Sequence, residues 1–395
     1  MTGRRAARAT LLSCRRMRSS SSLWGLTLLS MLGACVPVGG GKGGAQVPAA
    51  GSETEGARTF VYVGTAAGEI VTFGLDQATG RLRKRDTTAV GRAPSGLTSA
   101  LSGRALVAVT AGGGLVSLLI NPKTGALTTV GHASTDGAQP NGVLADGSGK
   151  YVAVANQGSG TVAILPVRPN GALAAASVFD AQAGARAVAF HPSNEAAYVA
   201  NFRAETISQY SFNRGTGTLT PKPDRPVVMP DHSGPRAVVA HPSGRWLYVV
   251  NETTNTIAVH AIEDHVRTLS LLALQSASTL PAGWHGRKNQ IAELRISRSG
   301  RFIYAINRGH DSLVTFAVDR ATGDLTLLGH QPTQGQAAIA MALDPSDTFL
   351  FVAHHGSSNL ATFRIDETTG MPAPLGTVAV GAPPVAVQVV RPPAD

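Results

Sequence analysis

Two carboxylates, three arginines and three histidines stand at matched places along this chain, and such a set can move protons and hold an anion. They are Glu252 and Glu293; Arg186, Arg236 and Arg308; and His310, His354 and His355. Glu252 and Arg308 each follow an asparagine that ends an apolar phrase (Val250-Asn-Glu252, Ile306-Asn-Arg308), and His355 follows His354 in the same way. Arg186 and Arg236 each open an Ala-Val string. A carboxylate or imidazole can act as general base toward water. A partly desolvated guanidinium can hold the oxyanion that develops when water attacks a carbonyl. The same residues would also serve as ion pairs stapling neighbouring repeats, and that reading stays open at this level. No His-x-x-x-His or Cys-x-x-Cys spacing follows residue 34, so neither a metal site nor a cofactor is expected.

Those residues converge only if the elements carrying them are arranged around a common point. An apolar strand phrase ending in a polar residue returns seven times. Tyr151-Val-Ala-Val-Ala-Asn156, Ala197-Tyr-Val-Ala-Asn201, Leu247-Tyr-Val-Val-Asn251, Phe302-Ile-Tyr-Ala-Ile-Asn307 and Phe349-Leu-Phe-Val-Ala-His354 are its clear copies. Phe60-Val-Tyr-Val and Ala105-Leu-Val-Ala-Val-Thr110 are looser ones. From Thr110 onward the spacings are 46, 45, 50, 56 and 47 residues, a period that fits propeller blades. Turn phrases recur between strands: His191-Pro-Ser-Asn, His241-Pro-Ser-Gly and Asp344-Pro-Ser-Asp in one place, Thr79-Gly, Thr124-Gly, Thr216-Gly and Thr322-Gly in another. His191 and His241 are thus expected to serve the turn. Four short strands per repeat give an all-β fold, a seven-bladed β-propeller. The chain begins at a second strand and ends in a surplus first strand, Val385–Val390, which should complete the first blade and close the ring.

In such a ring the loop leading into each innermost strand and the loop after each second strand share one face. The first set supplies Asn141, Arg186, Arg236 and Glu293. The second supplies Asn156-Gln157, Asn201, Glu252, Arg308, His310, His354 and His355. Adjacent residues in extended chain point opposite ways, so at most one of His354 and His355 should face the channel. A long insertion between Ser270 and Glu293 carries Trp284 and borders this face.

The ends are organised differently. Residues 1–34 have a basic start and an apolar run, Leu23–Leu32, too short to span a bilayer, and read as an export signal. Met17 to Cys35 alone also makes a well-formed signal. Leu32-Gly-Ala-Cys35 resembles the lipobox of bacterial lipoproteins, which implies acylation of Cys35 and a membrane tether through residues 35–58, with the propeller at 59–392. An exported lipoprotein of the periplasm or outer membrane is expected. Six of the 34 basic residues and none of the 24 acidic ones lie in the signal, so 28 against 24 remain, a net +4. That balance, without a basic run interleaved with aromatics, gives no footprint for nucleic acid. Cys35 is the sole cysteine after the signal, so no intrachain disulfide holds the fold.

The strings Ser233-Gly-Pro-Arg-Ala-Val-Val-Ala-His-Pro-Ser-Gly244, Val250-Asn-Glu252, Ala292-Glu-Leu-Arg-Ile296, Ile306-Asn-Arg-Gly-His-Asp-Ser312 and Ser278-Thr-Leu-Pro281 carry a resemblance. The chain is similar to the seven-bladed lactonase family of the 6-phosphogluconolactonase and carboxymuconate-lactonizing type. That resemblance implies hydrolysis of a sugar-type lactone at the channel mouth, with Arg236, Glu252 and Arg308 catalytic and Arg186, Glu293, His310, His354 and His355 around the substrate. Water would be activated by Glu252 or Glu293. This sequence departs from the pattern at four places. Arg186 stands where a histidine is usual, Ala237 replaces a histidine after Arg236, Ala338-Ile339 replaces Pro-Arg, and His354-His355 replaces Asn-Gln. The alternative is a non-catalytic, membrane-tethered propeller that binds a glycan or a protein.

Overall fold

The computed structural model describes residues 58–222, 226–263, 273–286 and 288–394. The export signal, Cys35 and the tether up to residue 57 lie outside the described residues. Seven antiparallel sheets follow one another around a ring. In the order of the chain, blade 2 is Pro94–Ala100, Ala105–Thr110, Gly114–Ile120 and Leu127–Ser134. Blade 3 is Pro140–Ala145, Tyr151–Asn156, Thr161–Pro166 and Ser177–Asp180. Blade 4 is Ala185–Phe190, Ala196–Asn201, Thr206–Asn213 and Thr218–Pro221, with the short Val227–Val228 added beside its third strand. Blade 5 is Pro235–Ala240, Trp246–Asn251, Thr256–Ala261 and Gln275–Ser278. Blade 6 is Gln290–Ile296, Phe302–Arg308, Ser312–Val318 and Leu325–Pro332, and blade 7 is Ala338–Leu343, Phe349–His354, Asn359–Ile365 and Pro372–Ala379.

Blade 1 joins the two ends of the chain. Thr59–Thr65, Glu69–Leu75 and Leu82–Ala89 form its outer three strands, and Pro384–Val390 lies innermost, antiparallel to Thr59–Thr65. The innermost strands of adjacent blades pack against each other all the way round, so the ring is shut by strand pairing and has no edge between the first and last strand.

The core is distributed in layers between blades. Each cluster of buried apolar side chains draws on two neighbouring sheets, such as Tyr248, Ile257, Leu294 and Phe316 between blades 5 and 6. Seven such layers complete the circle. Polar latches reinforce them. The phenols of Tyr62, Tyr248 and Tyr304 donate to the carbonyls of Gly125, Gly323 and Gly370 in the next blade, at 2.9–3.0 Å. Gly323 has φ +79, and a Cβ there would lie 2.5 Å from the Trp246 ring, so both backbone shape and close approach require glycine. His191 and His241 serve the turns, as the sequence suggests. Each takes a serine N–H at Nδ1 and donates from Nε2 to a glycine carbonyl of the following blade, Gly244 and Gly300.

Candidate active site at the channel mouth

The polar residue that ends the second strand, or in blade 6 stands one before its end, is buried in every blade: Thr65, Thr110, Asn156, Asn201, Asn251, Asn307 and His354. Its work is local. Asn156, Asn201 and Asn251 donate to Thr161, Thr206 and Thr256, and Asn307 to Ser312, five residues on, which closes the turn into the third strand. The sequence-level placing of Asn156, Asn201 and His354 at the mouth is therefore corrected. Strand alternation turns the next residue toward the channel instead. This second position holds Ala66, Ala111, Gln157, Phe202, Glu252, Arg308 and His355. Backbone N–H groups of Gln157, Phe202, Glu252 and His355 anchor it by bonding to Gln139, Gly184, Gly234 and Ala337.

The partner positions come from a bulge. In blades 2, 3, 4, 5 and 7 the first residue of the innermost strand pairs with the strand-ending polar residue, and the register then skips one residue. The skipped residues are Ser95, Asn141, Arg186, Arg236 and Ile339. A bulge frees a side chain from the ladder and re-aims it. Each lies 16 residues before its mouth neighbour, and in blades 3 and 5 the two are hydrogen-bonded: Asn141 Nδ2 donates to Gln157 Oε1 at 3.0 Å, and Arg236 Nη1 to Glu252 Oε2 at 2.7 Å. The Arg186 guanidinium lies 5.0 Å from the centre of the Phe202 ring.

Glu252 is the focus of the charged arc. It is 6% exposed. Its Oε2 takes Arg236 at 2.7 Å and Arg186, from the neighbouring blade, at 3.3 Å. Its Oε1 takes Nε2 of Gln290 from blade 6 at 2.7 Å. Arg236 is fixed further by its Nε, which donates to the Ala292 carbonyl at 3.0 Å. Burial lowers the Arg186 pKa to about 10; the Arg236 charge pushes the same way, and Glu252 offsets part of the effect. Arg308 sits across the strand pair from Gln290, and its guanidinium has no hydrogen-bond or ion-pair partner among the described residues. Two guanidiniums on one carboxylate leave a net positive charge able to receive a carbonyl oxygen or an anion, and Arg308 stands at the equivalent mouth position of the next blade.

Three expected residues are placed elsewhere. Glu293 pairs with Arg295 of its own strand at 2.7 Å rather than joining Glu252. In blade 6 the register skips between Ile291 and Leu294, and Ala292, 16 residues before Arg308, holds the position equivalent to Arg236. His354 is 0% exposed, and neither ring nitrogen has a hydrogen-bond partner of ordinary geometry; the Asn359 and Thr333 backbones near it offset only part of the lowering of its pKa that burial causes. It is shut off from any substrate. His310 bonds through Nδ1 to Ser312 Oγ at 2.7 Å, with its ring edge-on to Trp284 at 5.5 Å and to His330 at 6.1 Å. Burial, then the neighbouring His330, lowers its pKa. It supports the insertion, which Thr279 and Asn289 tie to Asn307. Gln290 is the site residue that sequence reasoning passed over. Its only signal is its position two residues before the bulge of blade 6. Among the described residues no three His, Cys, Asp or Glu side chains converge as a metal site.

The family model described as Lactonase, 7-bladed beta-propeller matches residues 60–389. The chain belongs to that family. Among its relatives, the 6-phosphogluconolactonase of Bacillus subtilis (strain 168) is 25% identical over 249 residues, covering 60% of this chain and 68% of that protein. An uncharacterized protein of Lactococcus lactis subsp. lactis is 47% identical over 62 residues, 16% of this chain and 18% of its own length. The sequence match thus spans less than a fifth of that relative. Among solved structures, the periplasmic gluconolactonase of Pseudomonas aeruginosa superposes with a TM-score of 0.77 at 28% identity, covering 85% of this chain and all of that one.

Proposed function

We propose that this member of the lactonase family hydrolyses a sugar-type lactone at the channel mouth. The observation that carries the reading is the Glu252 cluster: a buried carboxylate holding Arg236 and Arg186, with the unpaired Arg308 on the next blade, across the strand pair from the Gln290 that bonds Glu252. Hydrolysis places negative charge on the carbonyl oxygen as water adds to carbon. Guanidiniums already fixed in position stabilise that charge without reorganising. In this reading Arg308 receives the carbonyl oxygen, and Arg236 and Arg186 complete the anion cradle. Glu252, with both oxygens engaged, is the anion that keeps them aimed. The names of the Bacillus and Pseudomonas relatives support a gluconolactone-type substrate, with or without phosphate.

The test is hydrolysis of gluconolactone and 6-phosphogluconolactone, corrected for spontaneous ring opening. Glu252→Gln and Arg308→Ala should each lower kcat/KM by roughly 100-fold or more while the fold, followed by circular dichroism, is kept. Wild-type protein that is folded yet turns over neither lactone would move the assignment to a binding propeller for a glycan or protein. That second reading draws on the absence of the usual histidine at Arg186.

We also propose that Cys35 is acylated after export and tethers the propeller at the periplasmic face of a membrane. The periplasmic relative supports export. Among the described residues no helix is long and apolar enough to cross a membrane. Cys35→Ser should release the protein from the membrane fraction of the bacterial cell.

A further inference from the structure

We propose that His355, at the mouth position of blade 7, is the proton-transfer residue of the site. This deepens the lactone-hydrolase reading and rests on it.

Hydrolysis needs one group to take a proton from the attacking water and return one to the ring oxygen. Glu252 is engaged on both oxygens by Arg186, Arg236 and Gln290. Glu293 is paired with Arg295, His354 is sealed in the sheet, and His310 is bonded to Ser312 and packed edge-on against Trp284 and His330. His355 occupies the mouth position equivalent to Glu252 and Arg308, and it is half-buried. Its main chain is fixed by the bond from its N–H to the Ala337 carbonyl. Its Nδ1 lies 3.2 Å from the carbonyl oxygen of Pro384, on the innermost strand of blade 1. A carbonyl oxygen only accepts, so that contact places the imidazole proton on Nδ1. The neutral ring then carries its lone pair on Nε2, for which no partner is present among the described residues. The Pro384 carbonyl thus fixes the tautomer and the ring plane, as the buried carboxylate does in a hydrolytic triad. On the elements packed against it stand Arg308, at the matching position of blade 6, and Asp311, whose carboxylate accepts the Ala337 N–H; His354 precedes it on its own strand, and blade 1 meets the ring through Pro384.

The step balances. Nε2 takes a proton as water oxygen bonds to the carbonyl carbon, and the π electrons move to the carbonyl oxygen beside the arginines. When C=O re-forms, the bond from carbon to ring oxygen breaks, and imidazolium Nε2–H protonates that oxygen. Lactone and water become the open hydroxy acid, and His355 is neutral again.

The experiment uses the full chain with gluconolactone as substrate and compares wild type, His355→Gln and His355→Ala, with Glu252→Gln as reference. Gln keeps a donor for the Pro384 carbonyl, so a loss shared by Gln and Ala is not a loss of folding. Both should lower kcat by roughly 100-fold, remove the acid limb of the pH profile, and recover in the Ala variant with added imidazole. ¹⁵N chemical shifts of the wild-type ring should report the Nδ1–H tautomer. Activity within about threefold of wild type with an unchanged acid limb, alongside an inactive Glu252→Gln, overturns the role of His355 and leaves the lactonase reading standing. A wild type inactive on gluconolactone and 6-phosphogluconolactone overturns both.

Discussion

At the scale of single residues, the informative comparison is between the seven copies of one position. Four blades close the turn after their second strand with asparagine bonded to threonine or serine, and two use threonine bonded to the backbone. Blade 7 has His354 facing Asn359, and the turn bond is missing. A buried ring without a partner costs on the order of 1–3 kcal/mol relative to a satisfied one. The double change His354→Asn with Asn359→Thr should therefore raise stability by about 1 kcal/mol or more in urea titrations, with no change in lactone turnover. It should also flatten the pH dependence of stability on the acid side. The folded pKa of His354 lies below the unfolded value, so the unfolded state binds the extra proton and stability is lost as pH falls below the ordinary imidazole range. An unchanged acid dependence in the double variant would show that another group governs it. The same comparison explains the residues that were hard to place. His354 and His355 look equivalent as letters, and only the alternation of an ordered strand separates a sealed residue from an open one.

At the scale of elements, the blade is a sheet whose innermost strand bulges once and whose outer turn must be glycine. The seven-fold phrase, the four strands and the closing strand were legible because hydrophobic alternation and turn chemistry repeat in every blade. The bulge was not, because it changes register without changing composition. It explains why Arg186 and Arg236 meet at Glu252 while Glu293 does not: blade 6 puts Ala292 at the bulge, and the frame moves by one residue. Gln290 was invisible for a related reason. Its partner Glu252 lies 38 residues away in the preceding blade, and nothing in an Asn-Gln-Ile string marks that meeting. The glycine requirement yields a direct test. Gly323→Ala forces a Cβ against Trp246 and a strained φ, and should destabilise by about 2–4 kcal/mol, read as a lower Tm with kcat retained at temperatures where the protein is folded. A neutral outcome would mean that the Trp246 ring moves freely, contrary to tight packing between blades 5 and 6.

For the whole molecule, the pairing of Pro384–Val390 with Thr59–Thr65 decides whether seven sheets behave as one body. Every interface between blades is matched by another on the far side, so no blade is terminal and none needs a polar cap. Deletion from residue 380 onward removes this strand, exposes the edge of Thr59–Thr65 and uncovers Val61, Val63 and Phe351, which pack with Val387 and Val389. The truncated chain should aggregate or lose cooperative unfolding; a soluble monomer with a single sharp transition would show that six blades and a partial seventh suffice. The mouth pairs at 16-residue spacing have a further meaning. Asn–Gln in blade 3 and Arg–Glu in blade 5 stand on the same bulge and the same anchored strand end. The ring is thus a dial of sockets, and chemistry can migrate around it by exchanging two letters at a time.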